Sequence, residues 1–176
     1  MTQLIVLSAV GTDRTGVVQD ITKVVLGCGG NVEESRMTTL GSEFAVLMLI
    51  SGNWAALSKL ESALQTMTDS GEFVVSLKKT DQPDRHTDRM PYAVDVVSLD
   101  QPGIVFHLAD FFAHRDVEIA DVATRRYSAA HTGAPMFAVQ MAIHVPAECH
   151  IAQLRDEFHE LCDRMNLDAI IEPLKS

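Results

Sequence analysis

Short apolar runs alternate with amphipathic stretches along this chain. Leu4 to Val10 is nearly continuous in apolar, partly β-branched residues and reads as a strand. Val17, Val18, Ile21, Val24 and Val25 then recur at the i, i+1, i+4, i+7, i+8 spacing of one helix face. Two further strands are predicted over Val32 to Leu40 and Phe44 to Ile50, joined by a tight Leu40-Gly41-Ser42-Glu43 turn. A second helix places Trp54, Leu57, Leu60, Leu64 and Met67 on one face, and Phe73 to Lys78 closes the set as a fourth strand.

The same order then repeats. Asp13-Arg14-Thr15-Gly16-Val17-Val18 returns 87 residues later as Asp100-Gln101-Pro102-Gly103-Ile104-Val105. At that spacing the helical stripe falls on Ile104, Val105, Leu108, Phe111 and Phe112, and Asn31-Val32-Glu33-Glu34 aligns with Glu118-Ile119-Ala120-Asp121. The other counterparts are strands over Ala93 to Val97, Ile119 to Tyr127, Phe137 to Ile143 and Ala169 to Leu174, with a helix carrying Ile151, Leu154, Phe158, Leu161 and Met165. Six extra residues lengthen the second hairpin, a kind of growth that hairpin loops tolerate. Strand, helix, strand, strand, helix, strand predicts an α+β chain of two ferredoxin-like βαββαβ modules. Each is a four-stranded antiparallel sheet with two helices on one face. We expect modules over residues 1–80 and 92–176, joined by a polar, proline-punctuated linker over 81–91.

A sheet with one wet face should alternate apolar and polar residues, and Leu4 to Val10 and Phe44 to Ile50 do not. That predicts partial cover on both faces of the first sheet. Pairing between modules and homodimerisation would supply it, since a module of about 80 residues buries only a modest part of its chain surface.

Composition narrows the function. The 176 residues are 47% hydrophobic and 22% charged, as in globular proteins, and the formal net charge of −10 disfavours direct nucleic-acid binding. No secretory leader is expected from the opening residues, and the longest apolar run falls short of the roughly 20 residues a membrane helix needs. Cys28, Cys149 and Cys162 show no paired spacing, which suits free thiols in the cytoplasm. Gly27-Cys28-Gly29-Gly30 leaves a helix to enter a strand, so it reads as a helix stop rather than a phosphate loop. Cys149-His150 and His159-Glu160-Leu161-Cys162 fit no zinc spacing, and no nucleophile elbow or His-Glu-x-x-His helix occurs. Neither metal nor cofactor is expected, and no catalytic residues are assigned.

The candidate site lies where each first strand turns into its helix. Asp13 and Asp100 are read as N-caps, Pro102 suits a first helical turn, and Gly16 and Gly103 keep side chains away from the free N–H groups there. A carboxylate could then reach those donors. Asn31 opens the second strand and is expected near this corner, where its amide could bridge the ammonium and carboxylate of an amino acid or simply serve a turn. Glu118 takes its place in the second copy and would repel an anion, so the first copy or a junction between copies should bind most strongly. The candidate ligand-binding set is Asp13, Arg14, Thr15, Gly16, Val17 and Asn31, with Asp100, Gln101, Gly103, Ile104 and Glu118.

Gly11-Thr12-Asp13-Arg14-Thr15-Gly16 following the first strand of a tandem βαββαβ chain resembles the ACT domain. With Asn31-Val32-Glu33-Glu34-Ser35-Arg36 it is similar, over essentially the whole chain, to the glycine cleavage system transcriptional repressor family. The second copy departs from the pattern at Gln101-Pro102, Glu118 and the enlarged hairpin. The resemblance implies a cytoplasmic regulator that binds an amino acid, glycine among the candidates, at inter-domain interfaces and acts through a partner transcription factor. A regulatory subunit of an amino-acid metabolic enzyme is the alternative, and an enzyme in its own right is a third reading.

Overall fold

The computed structural model describes residues 2–82 and 88–174. Its elements are β1 (Gln3–Thr12), α1 (Val17–Gly27), β2 (Asn31–Leu40), β3 (Glu43–Gly52), α2 (Trp54–Asp69) and β4 (Phe73–Thr80), then β5 (Arg89–Leu99), α3 (Ile104–Ala113), β6 (Glu118–Ser128), β7 (Pro135–Pro146), α4 (Ile151–Met165) and β8 (Asp168–Pro173). They form two compact units, Met1–Asp84 and Arg85–Ser176. Each holds one antiparallel sheet, ordered β2-β3-β1-β4 and β6-β7-β5-β8. Of the residues read as linker, 83–87 lie outside the described residues, and Arg89, Met90 and Pro91 belong to β5. They extend that strand because β7 runs to Pro146 and offers His144, Val145 and Pro146 as partners.

Register decides which apolar residues are covered. Ile5, Leu7 and Ala9 stand beside Ile50, Met48 and Val46, and all six are buried under the helices with Val17, Ile21, Val25, Leu60 and Leu64. The intervening positions turn to the far face, where Val10 is 46%, Leu47 53% and Val74 75% exposed. Alternation is therefore present in the burial although the residue types hide it, and within its own module the helices cover one face of the sheet only. The helical stripes are narrower than predicted too. Val18 and Val105 sit at their solvent margins, and Trp54, the first residue of α2, is 70% exposed.

The helix ends have separate solutions. Gly29 takes the left-handed conformation after α1 (φ 81), with Gly29 N–H donating to Leu26 O and Gly30 N–H to Val25 O. That is the paired-bond helix stop the glycines predict. The equivalent left-handed residue after α3 is Asp116 (φ 55), whose carbonyl and carboxylate both accept from Arg89. Asn53 caps α2 through a 2.8 Å bond from Ala56 N–H. Among the described residues, no helix is long and apolar enough to cross a membrane.

The second core is built around Phe158, fully buried and stacked on Phe112 at 5.4 Å, with Phe111 at 5.5 Å. Phe158→Ala removes this shared partner, and by the usual cost of such cavities it destabilises the second module by about 3–5 kcal/mol. Amide-exchange protection in β5–β8 is expected to fall while that of β1–β4 is retained.

Candidate functional site

In both modules the first strand reaches its helix through a glycine in the left-handed region, Gly16 at φ 90 and Gly103 at φ 89. An L-residue there carries a steric penalty of about 1–2 kcal/mol. These glycines, not Asp13 and Asp100, are the N-caps, and no side chain caps either helix. The aspartates lie three residues earlier and turn to the second strand instead. Thr39 Oγ1 donates to Asp13 Oδ2 at 3.4 Å, and Arg126, at the repeat-equivalent position, pairs with Asp100 at 2.8 Å. Their main chain is also fixed, by Asp13 N–H to Ser42 O and Asp100 N–H to Pro135 O, both 2.9 Å.

The residue after each aspartate ties the corner to the closing half of its module. Arg14 Nε donates to Glu72 at 2.9 Å, and its Nη2 reaches Asp20 in the first turn of α1 at 2.7 Å. Glu72, then Asp20, raise the pKa of this guanidinium, so it stays charged but already has its counter-ions. Gln101 makes the neutral version of the tie, donating to Met165 O at 2.8 Å. Gly11 completes the first corner, since a side chain there would meet Glu72 O at 2.5 Å and the Phe73 ring at 2.6 Å.

What remains for a ligand at the corners is main chain. Val18 and Gln19, and in the second module Val105 and Phe106, have amides with no protein acceptor among the described residues. Thr15 is exposed, whereas Val17 and Ile104 are buried in the two cores and the Val17 amide is taken by Arg14 O. Their side chains anchor helices. The approach is also partly occupied: a Cβ on Gly103 would meet the His107 ring at 3.5 Å, and one on Gly16 would lie 4.0 Å from the Arg14 guanidinium.

Asn31 is not at this corner. It pairs with Ser51, level with Leu4 at the beginning of β1, whereas the corner follows Thr12 at the other end. The reason is topological: β2 runs parallel to β1, so its first residue lies where β1 begins. Asn31 Nδ2 donates to Glu33 Oε1 at 3.0 Å, and Ser51 Oγ donates to the same oxygen. Ser51 first, then Asn31, hold the Glu33 carboxyl below its ordinary pKa. A register shift between Val32 and Glu34 marks the bulge that lets Glu33 turn back on its own strand. At the matching positions of the second module Glu118 faces His144, 3.6 Å apart.

Asn31 also lines a groove of about 450 Å³ between α1 and β2, shared with Gln19, Thr22, Lys23 and the apolar edges of Val25, Leu26 and Val32. Lys23 offers a cation at one wall, and Asn31 Oδ1, its amide nitrogen being engaged, offers an acceptor at the other. Lys23 in the groove, and Ser51, which with Asn31 donates to Glu33, are residues that the sequence pattern does not single out. The available signal is that Asn31 and Ser51 are cross-strand neighbours, which needs the register. Among the described residues, no group of three or more His, Cys, Asp or Glu side chains could hold a metal ion. Burial pushes the Cys162 thiol up to about 11 and leaves it inert in the second core.

The Glu33 cluster titrates with a definite sign. Because its folded pKa is depressed, its contribution to stability is present above the ordinary carboxylate range and is lost as pH falls through the lower folded value. Ser51→Ala should move the Glu33 titration, followed by its side-chain carbonyl resonance, back up toward that range. An unchanged midpoint would remove Ser51 from the cluster.

Residues 3–76 match the family model of the ACT domain. A curated relative from Escherichia coli (strain K12), a glycine cleavage system transcriptional repressor, is 31% identical over 167 residues, 95% of this chain and 88% of its own. A relative of the same description from Shigella flexneri aligns equally. Among solved structures, a protein of unassigned function from Galdieria sulphuraria is 26% identical with a TM-score of 0.81, covering 99% of this chain and all of its own. A structure provisionally described as a glycine cleavage system transcriptional repressor is 29% identical with a TM-score of 0.74, covering 100% of this chain and 99% of its own. With two ACT modules in tandem and that identity along nearly its full length, the chain belongs to the glycine cleavage system transcriptional repressor family.

Proposed function

We propose that this chain is a cytoplasmic, amino-acid-responsive regulator that represses glycine-cleavage genes through a partner transcription factor and carries out no catalysis. The observation that carries the reading is the relationship to a transcriptional repressor over 95% of the chain. Its net charge of −10 supports control through a protein rather than by gripping DNA phosphates.

The ligand we assign is a small zwitterion, glycine first. In the groove lined by Asn31, Lys23 would take the carboxylate, while Asn31 Oδ1 would face the ammonium. We further propose that β2, an edge strand almost wholly exposed, pairs antiparallel with β2 of a second copy about Ser35. Glu34 of each copy then opposes Arg36 of the other, a favourable cross-strand charge pair. Allowing for the bulge at Glu33, Asn31 comes within about one position of the other copy's Thr39, which holds Asp13. The corner set and Asn31, separated within one module, would meet in the homodimer.

Calorimetric titration with glycine and each other common amino acid tests the ligand. Saturable binding of glycine is expected, weakened about tenfold by Asn31→Ala through loss of one hydrogen bond to a charged group. Uniformly flat titrations sink the sensor reading. A glycine-cleavage promoter fused to a reporter should be derepressed when the gene for this chain is deleted. Affinity capture that returned a biosynthetic enzyme in place of a DNA-binding protein would favour the enzyme-subunit alternative.

A further inference from the structure

Each module has a groove between its second helix and its closing edge strand, and the two grooves differ in chemistry. In the first, of about 370 Å³, Trp54, Glu61 and Lys79 are among the lining residues. In the second, of about 630 Å³, Arg155 and His159 stand one turn apart on α4 beside the β8 run from Ala169 to Pro173. β8 hydrogen-bonds to β5 on one side only and ends its sheet. The first module's closing edge carries Lys78 and Lys79, a usual guard against strand addition, whereas β8 keeps its charges and proline to its ends, at Asp168, Glu172 and Pro173, and leaves Ala169–Ile171 unguarded.

Arg155 differs from the module's other arginines in having a covered Nε without a partner among the described residues. Arg89, Arg115 and Arg126 of the same module each close on a carboxylate. Arg155 makes no ion pair or hydrogen bond among the described residues, and its Nε is buried without a partner. Its guanidinium lies 5.9 Å from the Tyr92 ring. A covered guanidinium N–H lacking an acceptor is costly, and a carboxylate accepting from the fork would relieve it.

We propose that α4 and β8 form a docking groove for an extended segment of a partner protein, which adds to β8 as a fifth strand and places an acidic side chain against Arg155 and His159. Register fixes the pattern such a segment needs. Ala169 and Ile171 stand with buried Val96 and Val94 on the helix side, whereas Ile170 and Glu172 stand with Asp95 and Ala93 on the other. An incoming strand therefore puts its acid toward the helix and a neutral or basic residue next to it, toward Glu172. Main-chain bonds to β8 supply affinity and this alternation supplies selectivity. The inference deepens the reading of control through a protein partner and rests on it, but it concerns a surface apart from the Asn31 groove.

The test uses the full chain, isotope-labelled, and a capped eight-residue peptide of threonines and valines with one central glutamate beside one lysine. We expect saturable shifts of the Ala169–Glu172 amides and of the Arg155 Nε–H signal. Replacing the glutamate by glutamine, or making Arg155→Gln with core resonances unchanged, should weaken binding about tenfold. Equal binding by the glutamine peptide, absence of β8 shifts at saturating peptide, or the same response to acetate alone would overturn the proposal. Glycine titration reports separately on the sensor reading, so the two can fail independently.

Discussion

The chain passes from first strand to first helix through a left-handed residue in both modules, and only glycine takes that conformation cheaply. This constraint aims the helix back across the sheet. Val17 and Ile104 then drop into the cores one residue later, and the stripe behind them follows. Everything polar at the corner is arranged around the same turn. The preceding aspartate holds the second strand, and the residue after it, Arg14 or Gln101, holds the segment before the closing strand. One backbone torsion thus positions three elements with different side-chain chemistry in each copy, so the two corners share their glycine while differing at Arg14 and Gln101.

The architecture is legible because it is written twice. A phase-locked repeat of two helical stripes and their flanking apolar runs leaves few topologies open, and the element bounds it predicts lie close to the observed ones. What misleads is the nearly continuous apolar character of β1 and β3. Residue type alone cannot tell Leu7, fully buried, from Leu47, half exposed; only the two-residue period of the pleat does.

The site is half legible. Glycine at the corner stands out in the sequence for its lack of a side chain, and its positive torsion gives the backbone reason for it. Asp13 looks in sequence like a cap because it is an acidic residue just ahead of a helix, while its real partner, Thr39, is 26 residues away. Asn31 belongs to the other end of the sheet because the chain does not return to where the helix begins. A helix of eleven residues, rising about 1.5 Å each, carries the chain roughly 16 Å back along the sheet before β2 starts.

Divergence between the copies follows from the same geometry. Asn31 and its cross-strand neighbour Ser51 become Glu118 and His144, so a neutral pair that steadies Glu33 is replaced by an acid and an imidazole, with no carboxylate at the bulge, where Ala120 stands. Lys23, the cation that would meet an anionic ligand group in the first module, is replaced at the repeat-equivalent position by Asp110, which faces His114 at 3.3 Å. With an acid in place of Lys23 and another in place of Asn31, the corresponding face of the second module is set against a carboxylate ligand. A cation with a covered, unpartnered Nε lies instead on α4, at Arg155 beside His159. Under the proposed reading the two copies divide the work, the first taking the small molecule and the second the protein contact, because charge differs at equivalent positions while the glycine corner that builds both modules does not.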